Sequence, residues 1–209
     1  MNQIIKNTII LFVITLVAGI CLGTVHDITL DPIAQAQEAA ATKTYQEVYP
    51  DAASFDEPQE LADAVTAAAD SISEWGFGKV TINDAKEALD ASGNQIGYLI
   101  TSTSAESYGG NVQIAVGITN EGELTGIGFL SISDTPGLGM RAKEPDFKDQ
   151  FIGKKAENLE VTKTGASADN QIEAISGATI TSRQSPTRQM QLSISWLTAW
   201  HSRRWNDYE

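Results

Sequence analysis

The hydrophobic pattern begins with one uninterrupted apolar run. Thr8 to Val25 reads TIILFVITLVAGICLGTV, close to the roughly 20 residues needed to cross the hydrocarbon core of a bilayer. Lys6 precedes the run, and Asp27 and Asp31 follow it. The positive-inside rule therefore predicts a cytoplasmic N-terminus over 1–7, an anchor over 8–28 and the remaining chain outside the cytoplasm. The small residues of Ala34-Gln35-Ala36 leave a cleaved signal peptide as a second reading, which the length of the run disfavours. Cys21 follows Ile20 rather than a small residue, so it reads as an ordinary helix position.

Beyond the anchor the period changes. Residues 29–94 are expected to form a stalk and a helical part. Ala34 to Ala41 (AQAQEAAA) is rich in helix formers, and Tyr49 to Pro58, with two prolines and several acids, reads as a loop. Leu61, Val65, Ala68 and Ile72 share one helix face. From Gln95 the pattern alternates, over Gln95 to Ile100, Asn111 to Ile118 and Leu124 to Ile132. Asn120-Glu121-Gly122-Glu123 sits where a hairpin turn is needed. Phe147 to Phe151 suggests a short helix and Leu159 to Thr162 a further strand. The expected fold class is α+β: an N-terminal transmembrane helix, then one domain with a mainly antiparallel sheet and flanking helices.

Charge and composition narrow the function by exclusion. The 209 residues carry a net charge of -13, which repels nucleic acid, whose binding relies on Lys and Arg neutralising phosphates. Cys21 is the single cysteine, and His26 and His201 are the two histidines. An intramolecular disulfide, a thiolate zinc cluster and a cysteine-ligated iron–sulfur centre are therefore ruled out, and a histidine metal or haem site is not expected. Ser176 and Thr181 have no histidine or cysteine nearby in sequence, so no nucleophilic or acid–base constellation marks a substrate turnover site. A redox role would need a cofactor supplied from outside.

The stretch richest in chemistry is Glu173-Ala174-Ile175-Ser176-Gly177-Ala178-Thr179-Ile180-Thr181-Ser182. Small residues surround hydroxyls there, and Gly177 lets the backbone come close to a ligand. Two readings fit: a helix cap, or an exposed turn that admits a phosphate, favoured if a helix starts just after it. Upstream, Thr135-Pro136-Gly137-Leu138-Gly139 sets a turn with Pro136 and offers Leu138 as an apolar surface for a flat ring.

The SGATITS string resembles the flavinylation motif of the FMN-binding domain shared by the G subunit of Rnf complexes and the C subunit of sodium-translocating NADH:quinone reductases. Two further segments carry the resemblance. Tyr108-Gly109-Gly110-Asn111 is similar to the family's Gly-rich run into its central sheet, and T-P-G-L-G to the family's turn near the flavin ring. Glu173 stands where the family usually has Asp, with the carboxylate kept. The resemblance implies an FMN-binding domain over 95–183, with FMN bonded covalently through its phosphate to Thr179. It also implies Ser176, Gly177, Ala178, Thr135, Gly137, Leu138 and Gly139 around the cofactor, a flavin transferase for maturation, and electron relay among other subunits of a membrane complex. Alternatives are a flavinylated domain of another extracytoplasmic reductase, or a non-redox anchored assembly protein in which SGAT is only a cap.

The resemblance stops at Arg183. Residues 184–209 form an atypical tail with three tryptophans, a proline and clustered arginines. Restoring one base after the Arg183 codon, with permitted codons, yields AVTNAANAAINQLADSLAQQKVE before a stop, a peptide rich in helix formers. The tail is therefore expected to be a frameshift product. Read as it stands, Pro186 is expected to compromise the helix after Thr179.

Overall fold

The computed structural model describes residues 3–72, 75–107, 109–155, 159–163, 165–178 and 186–206. Two compact units emerge, residues 1–42 and residues 43–209. Helix α1 runs over Gln3–Val48, longer than the anchor alone. It contains a stretch of mean hydropathy 2.6 with none of it buried, the property of a helix whose apolar surface faces lipid. Within α1, Thr8, Thr15, Thr24 and Thr29 each donate their hydroxyl to a carbonyl one turn back, which removes free polar groups from that surface.

The second unit is built on a five-stranded antiparallel meander in the order β1-β2-β3-β4-β5. Its strands are β1 Ser54–Asp56, β2 Val80–Leu89, β3 Gln95–Ser107, β4 Gly110–Thr119 and β5 Leu124–Ile132. In the centre, Ile100 pairs with Val116 and Leu99 with Gly117. The β3–β5 part and the hairpin at 120–123 follow the alternation in the sequence. Strand β2 corrects the expectation of a helical part up to residue 94. Asn83-Asp84-Ala85-Lys86-Glu87 breaks the alternation with residues disfavoured in strands, and pairing along β3 overrides that local preference.

Helix α2, Gln59–Ile72, turns Leu61, Val65, Ala68 and Ile72 into the core as expected. Burying side chains of this kind contributes about 1.5–3 kcal/mol for each of the larger ones. A second helix, named α4 below, covers the same sheet face over Pro186–Asn206. It buries Met190, Leu192, Trp196 and Trp200. Pro186 does not break it. The proline stands at the first helical residue, where its missing N–H has no intrahelical partner to lose.

The opposite sheet face is unusually glycine-rich, and the end of α1 explains why. A Cβ at Gly128 would collide with Thr44 and Val48, and one at Gly126 would lie 3.1 Å from Val48 O. The hydroxyl of Thr125 donates to that same carbonyl at 2.8 Å, and Val48 packs with Leu99 and Ala115. Glycines inside strands here admit a close-packed backbone.

After β5 the chain forms a 3-10 turn over Gly139–Lys143, a single helical turn α3 over Pro145–Lys148 and another 3-10 turn over Asp149–Phe151. Phe147 and Phe151 anchor this segment edge to face, 5.3 Å apart. Two short parallel strands follow, β6 Glu160–Thr162 and β7 Gln171–Glu173. Helix α4 then closes the unit.

Candidate functional site

The two motifs form matching turns. In Thr135-Pro136-Gly137-Leu138 the Leu138 N–H donates to Thr135 O at 3.1 Å, and Gly137 has φ +75°. In Ile175-Ser176-Gly177-Ala178 the Ala178 N–H donates to Ile175 O at 3.0 Å, and Gly177 has φ +79°. A turn closed between first and fourth residues with positive φ at the third is the type II pattern, which selects glycine there. Proline at the second position presets the first of the two.

The structure brings these turns together. A Cβ built on Gly177 would lie 3.0 Å from Leu138 Cδ2, so the second turn is glycine for conformation and for space. Leu138 remains 42% exposed. That leaves an apolar side chain open to solvent at the edge of a polar turn, the surface a planar ring system needs. Thr135, Gly137, Ser176 and Gly177 are exposed, whereas Gly139 and Ala178 are buried. Thr179, Thr181 and Tyr108 lie outside the described residues.

Asp134, which local pattern did not single out, holds the first turn. One carboxylate oxygen accepts from the Thr135 N–H at 2.7 Å and the other from the Ser107 hydroxyl at 3.1 Å. A Cβ at Gly139 would run into that carboxylate, and a Cβ at Gly109 into the backbone of Ser133 and Asp134. Gly109, just before β4, and the last residue of T-P-G-L-G are thus small for one reason: both wrap the Asp134 region.

A cleft of about 290 Å³ lies beside the second turn, near the small end of the roughly 300–1,000 Å³ range of ligand pockets. Arg141, Glu144, Asp146, Phe147 and Gln150 line it from the segment after T-P-G-L-G, and Glu173 to Ser176 from the segment before Thr179. Arg141 pairs with Glu144 at 3.2 Å. No cluster of His, Cys, Asp and Glu suited to a metal occurs among the described residues.

The FMN-binding domain profile matches residues 107–185, and the RnfG N-terminal region matches residues 1–48. With one exposed apolar helix among the described residues and this sheet, the chain is a single-pass membrane protein bearing an FMN-binding domain. It is 35% identical over 188 residues to the G subunit of the Na(+)-translocating ferredoxin:NAD(+) oxidoreductase complex of Acetobacterium woodii, covering 86% of this chain and 85% of that protein. It is 29% identical over 184 residues to the proton-translocating counterpart of Clostridium ljungdahlii, covering 87% and 85%. The crystal structure of Shewanella oneidensis NqrC aligns with a TM-score of 0.49 at 15% identity, over 74% of each chain. The chain belongs to the RnfG family, the G subunits of ion-translocating oxidoreductase complexes.

Proposed function

We propose that this protein is an electron-transfer subunit of an Rnf-type complex. In this reading it carries FMN as a phosphoester on Thr179, in a domain over 95–183 held outside the cytoplasm by the anchor over 8–28. The observation that carries the reading is the meeting of Leu138 with Gly177, which sets an open apolar side chain beside the turn that leads into Thr179. Family membership supports partners among the other subunits of the complex.

Attachment is a group transfer from FAD by a flavin transferase. Such attachment would form the bond from the Thr179 hydroxyl oxygen to the FMN phosphorus and break the bond from that phosphorus to AMP, which would leave as the anion while the hydroxyl proton is released. No electron changes hands in that step. Bound FMN supplies the redox chemistry. The chain's own residues would orient it: Leu138 offers a face for the ring, and the two glycine turns keep the approach clear.

Coexpression of the full chain with a flavin transferase, followed by intact mass measurement, tests this. A single FMN-sized adduct that disappears in Thr179→Ala is expected. No adduct, or one that persists in Thr179→Ala, overturns the assignment and leaves the anchored assembly protein as the reading to pursue.

A further inference from the structure

The segment that ends in the Ser176 turn is fixed from one side by β6 and from the other by a single side chain. Across the ladder, the Ala174 N–H donates to Thr162 O at 2.8 Å. In a parallel pair the backbone groups of successive residues face opposite edges, so Glu173, the last residue of β7, turns its own N–H and C=O away from β6. Gln150 meets both. Its Oε1 accepts from the Glu173 N–H at 2.7 Å, and its Nε2 donates to Glu173 O at 3.4 Å. The same Nε2 donates to Asp146 O at 3.0 Å.

A carboxamide has one donor group and one acceptor, as a peptide unit does. Gln150 therefore stands in for a neighbouring strand at the position where β7 runs out. It also ties the strand to the segment that follows T-P-G-L-G, because Gln150 belongs to the 3-10 turn anchored by the fully buried Phe151.

We propose that Gln150 is a positioning residue for flavin attachment: by clamping the backbone of Glu173 it holds the turn ahead of Thr179 at a fixed reach against Leu138. The inference rests on the reading of Thr179 as the acceptor. Its physical basis is that transfer to a hydroxyl is faster when the nucleophile is held near its reacting geometry. Glu173 and Gln150 both line the cleft beside Ser176, so the clamp sits at the site and not behind it.

The test uses the full chain in detergent with purified flavin transferase and FAD, measuring initial rates against acceptor concentration. Gln150→Ala removes both bonds to Glu173 and is expected to lower kcat about tenfold. Gln150→Glu keeps the acceptor and loses the donor, so it recovers part of that rate. Phe55→Ala, in the small cluster on the opposite sheet face, serves as a variant destabilised away from the site and is expected to keep its kcat. An unchanged kcat in Gln150→Ala overturns the proposal, as does a loss in Phe55→Ala of the same size for the same drop in Tm. An adduct that survives Thr179→Ala overturns the acceptor assignment and this inference with it, whereas a Thr179-specific adduct formed at full rate by Gln150→Ala overturns the inference alone.

Discussion

Leu138 and Gly177 lie against each other across the two motif turns, with 3.0 Å between Leu138 Cδ2 and the point where a Cβ at Gly177 would sit. Residues far apart in sequence are thereby matched in shape, and each turn limits what the other can be.

Gly177→Ala should damage the site twice. Alanine at φ +79° costs about 1–2 kcal/mol, and its methyl presses on Leu138. Flavin attachment should fall while the Tm drops by no more than a few degrees. Adding Leu138→Ala relieves the contact but not the dihedral, so the double variant should recover only part of the attachment. Full recovery would show that the turn tolerates alanine.

Gly139→Ala and Asp134→Ala should share a phenotype. The first drives a methyl into the Asp134 carboxylate, and the second removes the acceptor of the Thr135 N–H and the Ser107 hydroxyl. Both bonds are part-buried, and each is worth about 0.5–1.5 kcal/mol net. Combining the two should cost less than the sum of the singles, since both act on one knot. Additive losses in thermal unfolding would show that the sites are independent.

Asp90 closes the β2–β3 hairpin. Hydrogen bonds from the Asn94 side chain and backbone, joined by the Ser92 N–H, hold its carboxyl below the usual carboxylate range. Because the folded value is depressed, its contribution to stability is complete above the unfolded pKa of about 3.9 and is lost as pH falls through the folded value. Asn94→Ala should move the Asp90 titration upward in a side-chain NMR experiment. An unmoved titration would assign the depression to the remaining backbone donors.

The orientation proposed for the anchor predicts that protease added to intact spheroplasts removes the domain beyond residue 42. Protection of the domain, with digestion only after lysis, would reverse the topology read from Lys6, Asp27 and Asp31.

The tail carries a conflict that bears on its origin. Gln189 and Trp196 are fully buried, yet Gln189 Oε1, Trp196 Nε1 and Ser102 Oγ lack a partner among the described residues. The restored reading frame sets Ala, Ile, Leu and Leu in place of Gln189, Ser193, Trp196 and Trp200, an apolar stripe at helical spacing. It also sets Asn in place of Met190 and Ile194, which narrows that stripe. We propose that the ancestral chain carried the shifted-frame helix. Codons of the gene downstream of Arg183 should permit that peptide; a single forbidding codon ends the idea.

Legibility followed the range of the interactions involved. The α2 face at Leu61, Val65, Ala68 and Ile72 and the β3–β5 alternation were readable because period alone encodes them. Strand β2 was not, since Asp84, Lys86 and Glu87 hide it until β3 is there to pair with. Strand β7 is too short to show a period. At the site, the two glycine turns were readable from Thr135 to Gly139 and from Ser176 to Ala178, but their meeting was not, because nothing local specifies it. Asp134 and Gln150 act on backbone groups, and such contacts leave no pattern in neighbouring residues.

The helix that closes the core also shapes the protein's optical properties. Trp196 and Trp200 stack at 6.5 Å with 13° between their planes, and Trp200 meets Tyr98 edge-on at 5.9 Å. Of the four tryptophans only Trp75 lies outside the tail, so a shifted-frame protein would lose that stacked pair and most of its absorbance near 280 nm. An absorbance spectrum of the flavin-free Thr179→Ala protein therefore reports which C-terminal helix the chain carries.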